Sequence, residues 1–288
     1  MKPIFIFLIL VITTNVYGQS IEEKAAILAC ECLKKQKQLD NEKYRECLSK
    51  SLVEVITKSG NPDYLSRLNT VGGIQSAFLE VQSILSYTCN LLSEKELEAK
   101  RDRFYSDSKN KFAQNSYIIG NDMMNDEKFD LAIESFGLAL SVDSTFILAL
   151  DHTAICYKQL GDLENAVKYY NKSLDIYPEG DLALMNIGVI YTSVDEFEIS
   201  NKYYLRLANL YPNNPEGFFG LSKNYILLGE FEKGLENVSI AHKIYKKTKS
   251  AYIQDAEKII EVVREAMREN GQENEFKKLA KKYGLKIK

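Results

Sequence analysis

The 288-residue chain has no tryptophan, two histidines and five prolines, and each scarcity removes something. Without tryptophan, no indole-rich platform for stacking sugars can be built. The histidines, His152 and His242, sit in different helical stretches and fit no metal-ligand spacing or catalytic base arrangement. A glycine-rich phosphate loop is missing too, because Gly72-Gly73 lacks the following lysine and the strand context. Nor is charge of one sign in excess: 37 Lys and Arg against 40 Asp and Glu give a net −3, too balanced for a phosphate-tracking surface. The one basic cluster, Lys277, Lys278, Lys281 and Lys282, alternates with Phe276, Leu279, Ala280 and Tyr283 at helical spacing. It reads as a solvated helix face near the negative end of the helix dipole. Carboxylates are plentiful but fall on solvated faces. No catalytic residue, metal site or cofactor is therefore assigned, and an enzyme is not expected.

Long hydrophobic runs are also scarce. The apolar run is Ile4 to Ile12, preceded by Lys2 and followed by polar Thr13, Thr14 and Asn15 and small Gly18. It is far short of the ~17–25 residues a spanning helix needs. The pattern is that of a secretory signal peptide over residues 1–18. No cysteine lies near the cut, so a lipid anchor has no attachment residue. Export to the periplasm or the extracellular side of a bacterial envelope follows as an expectation. The remaining length and the 45% hydrophobic content suit two structural units.

Residues 19–112 form the first, a helical region with four of the five cysteines. Helices are predicted over Ile21–Gln36, with Ala25, Leu28, Ala29, Cys32 and Leu33 along one side, over Glu42–Lys58, and over Ile74–Leu92. Gly60 and Asn61-Pro62 stop one helix and start another, Gly72-Gly73 marks a loop, and Ser93 with Glu96 is a capping box opening a charged helix toward Lys109. In an exported chain, an even cysteine number implies disulfides. Cys30, Cys32, Cys47 and Cys89 allow three pairings. Cys32 and Cys47 lie about equally far from the turn near Asp40, which favours Cys32–Cys47 with Cys30–Cys89. A redox reading of Cys30-Glu31-Cys32 is the alternative, a thiol-disulfide oxidoreductase, although the two-residue spacer of that chemistry is absent. Cys156 stands alone among apolar neighbours.

From residue 113 a pattern returns every 34 residues, anchored on Ala132, Ala166, Ser200 and Gly234. Its plainest unit holds Leu150, Ala154, Tyr157, Gly161, Asp162, Ala166, Tyr170, Leu174, Ile176 and Pro178. This resembles the tetratricopeptide repeat. The likeness spans 113–248 as four units, 113–146, 147–180, 181–214 and 215–248. Small residues (Gly120, Ala154, Gly188, Ser222) allow close helix approach and aromatic ones fill between. Pro178 and Pro212 end second helices, whereas Lys246 stands at that place in the fourth unit. Residues 249–288 supply capping helices, Ser250–Glu269 and Glu273–Tyr283. The fold class expected is all-α: a right-handed superhelical solenoid of four helix-turn-helix repeats, with an N-terminal disulfide-bearing helical cap and C-terminal capping helices.

The resemblance implies that the first helix of each pair lines a concave, partner-binding face. Carried over, the candidates are Tyr117, Asn121 and Met124; Asp151, Ile155 and Lys158; Met185, Val189 and Thr192; and Phe219, Lys223 and Ile226. Such a mixed lining suits an extended peptide or a helix of another protein. A subclass that clamps a C-terminal carboxylate is rejected, since its places hold Tyr117, His152, Leu182 and Asn186, with Asn121 alone agreeing. The function implied is a non-catalytic scaffold with a protein partner, no nucleic acid and no integral membrane span. A surface glycan-capture accessory is a further alternative, opposed by the missing tryptophan and lipid-attachment cysteine.

Overall fold

A computed structural model describes residues 20–36 and 41–285, so the expected signal segment, residues 1–18, lies outside the described part. The chain divides into two compact units at Leu85 and Ser86, not at residue 112. The first holds α1 (Ile21–Lys34), α2 (Asn41–Ser59), α3 (Pro62–Leu68) and most of α4 (Val71–Thr88). Ser20 starts α1 with a capping box: its hydroxyl accepts from the Glu23 amide at 3.0 Å and its own amide donates to the Glu23 carboxylate at 2.8 Å. α1 and α2 pack on each other, burying Ala25, Ala26, Ala29 and Leu33 on one and Leu48, Leu52, Val55 and Ile56 on the other. Cys32 and Cys47 join them with Cα atoms 5.6 Å apart. The buried stripe of α1 runs through Cys30, while Leu28 and Cys32 sit half-buried at its edge. Gly72-Gly73 is no loop. It lies in the first turn of α4, where Thr70 Oγ1 accepts from the Gly73 amide at 3.0 Å.

The second unit begins before the repeats. α5 (Glu94–Phe104) opens on the Ser93 capping box and stops at Phe104, short of Lys109. The helix pairs follow as α6 (Lys111–Asn125) with α7 (Phe129–Val142), α8 (Ile147–Gln159) with α9 (Leu163–Ile176), α10 (Asp181–Ser193) with α11 (Phe197–Leu210), and α12 (Pro215–Leu227) with α13 (Phe231–Thr248). Every second helix starts 34 residues after the last. The three before α13 are 14 residues long, and α13, with Lys246 where the others have a residue that breaks or leaves the helix, runs on for 18. α14 (Ile253–Glu269) and α15 (Glu273–Tyr283) then close the array. Ala256, Val263 and Met267 of α14 and Phe276, Leu279 and Tyr283 of α15 share one core with Leu235, Val238, Ala241 and Tyr245 of α13.

Within each of the first three pairs a small residue on the first helix receives a large one from the second. At Gly120 an added Cβ would lie 2.5 Å from the ring of Phe136, and at Gly188 it would lie 2.8 Å from that of Tyr204. Ala154 faces Tyr170 in the same register, and both are fully buried. The turn inside each pair is equally regular. Amides of Lys128, Asp162, Glu196 and Glu230 donate to carbonyls of Met123, Tyr157, Tyr191 and Tyr225 at 2.8–2.9 Å, the six-to-one bond of a Schellman ending. That ending needs a left-handed residue, and Glu127, Gly161, Asp195 and Gly229 have φ of 60°, 79°, 61° and 75°.

Two consequences are measurable by thermal or urea unfolding. Glu127→Gly and Asp195→Gly relieve a left-handed side-chain penalty, partly offset by the freer unfolded chain, so each is expected to stabilise by about 0.5–1 kcal/mol. Gly188→Ala drives a methyl into the Tyr204 ring and is expected to cost about 1–3 kcal/mol. No loss in Gly188→Ala would mean that the ring does not seat there.

Candidate partner-binding groove

The first helices of neighbouring units meet, α6 with α8 and α10 with α12, while second helices of neighbouring units do not pack to that extent. The inner face of the stack is therefore the one formed by α6, α8, α10 and α12. Burial sorts the twelve candidate residues on it. Tyr117 and Asp151 are buried and belong to the core, not to a contact surface. Met124, Ile155, Met185, Phe219 and Ile226 are half-buried, each packed against a core cluster on one side. Thr192 serves the interior: its hydroxyl bonds Gly188 O, Ser200 Oγ and Asn224 Oδ1 at 2.9–3.0 Å. Val189 is 42% exposed and Lys223 is open to solvent. Lys158 and Asn121 are half-buried with polar partners.

What removes Asp151 from the face is a strap that the sequence did not mark as part of the array. Residues 86–108 run along the loops between repeats, touching equivalent places in successive units. Asn209 Nδ2 donates to Tyr87 O at 3.2 Å, Lys100 pairs with Glu179 at 2.7 Å, and Arg101 with Asp181 at 3.4 Å. Phe104 stacks on Tyr177 with centroids 4.8 Å apart. Tyr105 sets its edge on the same ring and donates its hydroxyl to Asp151 Oδ2 at 3.2 Å. Ser108 then donates to Asp143 at 2.5 Å. Tyr177 and Tyr211, one repeat apart, bond through their hydroxyls at 3.2 Å, and Tyr211 continues to Glu179 O at 2.6 Å. Two clefts of about 580 and 530 Å³ flank the strap, lined by residues such as Arg103, Asn110 and Asp143 in one and Leu97, Asp181 and Asn214 in the other.

Asp151 is the most perturbed acid here. Its Oδ1 lacks a hydrogen-bond partner, as do the neighbouring Ser173 Oγ and Tyr170 hydroxyl. Burial, reinforced by the charge of Asp181, pushes its pKa up to about 7; Ser173 and Tyr105 oppose this, although the Ser173 hydroxyl makes no well-formed bond. Toward α6 the lining is neutral. His152 Nδ1 lies 2.7 Å from Asn121 Oδ1 and 3.2 Å from the Tyr117 hydroxyl, and burial lowers its pKa to about 4. Further along, Lys158 Nζ donates to Asn186 Oδ1 at 2.6 Å, and burial lowers its pKa. Lys223 stands 5.4 Å from the centroid of the Phe219 ring.

The cysteine alternative loses its dithiol. Cys32 is bonded to Cys47 rather than poised beside Cys30, and Cys156 is a buried free thiol whose pKa burial raises to about 11. Among the described residues, no group of three or more His, Cys, Asp or Glu could hold a metal ion, and no helix is long and apolar enough to cross a membrane.

Stacked helix-turn-helix pairs with this small-to-aromatic register define a tetratricopeptide-repeat solenoid. A family model described as tetratricopeptide repeat matches residues 154–179, inside the second unit. No curated protein matches the sequence. Among solved structures, MamA from Desulfovibrio magneticus RS-1, from residue 41 to its end, superposes with a TM-score of 0.50 at 14% identity, covering 61% of this chain and 95% of that one. Another MamA crystal structure gives 0.48 at 19% identity, covering 57% and 92%, and MamA AMB-1 gives 0.48 at 16%, covering 60% and 90%. The likeness is one of fold.

The titration of Asp151 yields a signed expectation. With its pKa raised to about 7 in the folded state, its contribution to stability is full below the ordinary carboxylate value and is lost as pH rises through about 7. Asp151→Asn removes that loss. The melting temperature of the variant relative to the native chain is expected to rise between pH 5 and pH 8; an unchanging difference would show that Asp151 is not a buried, strap-covered carboxyl.

Proposed function

We propose that this protein is a non-catalytic interaction scaffold of the bacterial envelope, holding a peptide segment or helix of a partner protein along the inner face of its repeats. The observation that carries the reading is the face itself. Beyond the strap, Ile155, Lys158, Met185, Val189, Phe219, Lys223 and Ile226 form a band of half-buried and exposed side chains on three adjacent first helices. Apolar groups alternate there with hydrogen-bonding and charged ones, a lining suited to peptide recognition. Export is part of the proposal. It rests on the signal pattern of residues 1–18 and on the Cys32–Cys47 bond, which suits an oxidising compartment. A Cys30–Cys89 bond belongs to the same proposal.

A photo-crosslinking residue at Val189 on α10, compared with one at Leu138 on α7, tests the surface in living cells. Both side chains are exposed, at 42% and 54%. A discrete protein adduct is expected from position 189 and not from 138, and Val189→Glu should weaken capture of that same protein by the native chain. Adducts of equal yield from position 138 would remove the inner face as the binding surface.

A further inference from the structure

The two lysines of the inner face are its unpaired charges. Lys158 is half-buried, and its ammonium has three hydrogens to donate. One goes to Asn186 Oδ1 at 2.6 Å. The Asn186 amide is held in that orientation because its Nδ2 donates to Leu182 O at 2.9 Å, so its oxygen is committed to the lysine. Among the described residues no carboxylate reaches Lys158 or Lys223 at ion-pair distance. Neither α8 nor α12 carries an acid within one turn of its lysine, and Asp162, just past the end of α8, accepts from the Asn165 amide at 3.0 Å and side chain at 2.7 Å.

The acids that might answer these lysines are otherwise employed. Asp151 is fully buried under Tyr105. Glu216, at the start of α12, accepts from the Tyr245 hydroxyl at 2.9 Å. The inner face is therefore positive on a chain whose formal net charge is −3. Elsewhere lysines find acids on their own helices, as Lys50 does with Glu46, Lys258 with Asp255 and Lys277 with Glu273. A half-buried ammonium without a counter-ion is costly to keep dry, and an arriving carboxylate removes that cost.

Resting on the scaffold reading, we infer that the segment held here is an acidic-apolar peptide: carboxylates meet Lys158 and Lys223, two repeats apart, and apolar side chains between them lie on Met185 and Val189. Two isolated cations set among apolar groups do not make the basic stripe that tracks a phosphate backbone, which favours a protein segment over a nucleic acid.

The test uses the full chain and two randomised synthetic peptide pools of equal length. One is composed of Glu, Leu, Ile, Val and Ser, and the other has Lys in place of Glu. Peptides retained by the immobilised protein are sequenced, and their adducts to a photo-crosslinker at position 189 are mapped. The Glu pool is expected to be retained and crosslinked at 189, with Glu enriched over input. Selected peptides should bind Lys158→Met about tenfold more weakly, the loss of one charge-assisted contact. Lys158→Glu with Lys223→Glu should shift retention to the Lys pool. Circular dichroism and melting of each variant establish that it folds; Lys158→Leu replaces any that does not. Peptides crosslinked at 189 without acidic enrichment, or with undiminished binding to Lys158→Met, overturn the charge assignment while leaving the scaffold reading standing. Retained peptides that fail to crosslink at 189, or no retention from either pool, overturn both. A single-stranded oligonucleotide bound more tightly than the Glu pool would also contradict the inference.

Discussion

The repeat stack depends on one steric fit, the seating of a large side chain of one helix against a small residue of its partner. It recurs as Gly120 with Phe136, Ala154 with Tyr170 and Gly188 with Tyr204, at a constant step. In the fourth pair the small residue is on the second helix: an added Cβ at Gly234 of α13 would lie 2.8 Å from the Ile226 side chain of α12. Because the Tyr204 ring also lies where a Cβ at Gly220 would stand, 2.4 Å away, it sets the spacing between units as well as within one. A single ring thus couples α10, α11 and α12, which is how pairs with little core of their own become a continuous stack.

From that spacing the inner face follows. First helices come close to one another, and what projects between them is either buried by the next repeat or left on the surface. The strap then divides this face. Where Phe104 and Tyr105 dock on Tyr177, the start of α8 is covered and Asp151 becomes an interior group. Past it, on the later turns of α8 and along α10 and α12, the side chains remain accessible and the charge is positive. Packing geometry and electrostatics agree on which part of the surface is free.

The repeat register was legible because it is a packing rule written in residue size. Helix starts at Phe129, Leu163, Phe197 and Phe231 keep the step that Ala132, Ala166, Ser200 and Gly234 announce, and Lys246 in place of proline already marked α13 as the helix with a softer end. The turns were only half legible. Gly161 and Gly229 advertise left-handed backbone, but Glu127 and Asp195 adopt it with no glycine to signal it, because the Schellman bonds on either side dictate the conformation. The site was harder to read. Repeat position assigns a residue to a face, where Val189 and Lys223 are exposed, yet it says nothing of a distant segment lying across that face. Asp151 was lost to the core for that reason, under Tyr105, whereas Tyr117 is closed over by His152 and Phe146 of the next repeat. The aromatic pair Phe104-Tyr105 at the end of a charged helix was the available signal for a docking segment. Similarly, Gly72-Gly73 looks like a loop by composition but needs no intrahelical partners in the first turn of α4.

The central claim is that residues 86–108 are a structural part of the array and that the open groove begins where they end. Hydrogen exchange on the native full-length chain tests it directly. Amides of α5 are expected to be protected together with those at the start of α8, and α8 through α12 to exchange slowest of all. Exchange of α5 at the rate of a free peptide, with α8 through α12 still protected, would contradict the claim, since Asp151 would then face the groove and its lining would be acidic as well as basic.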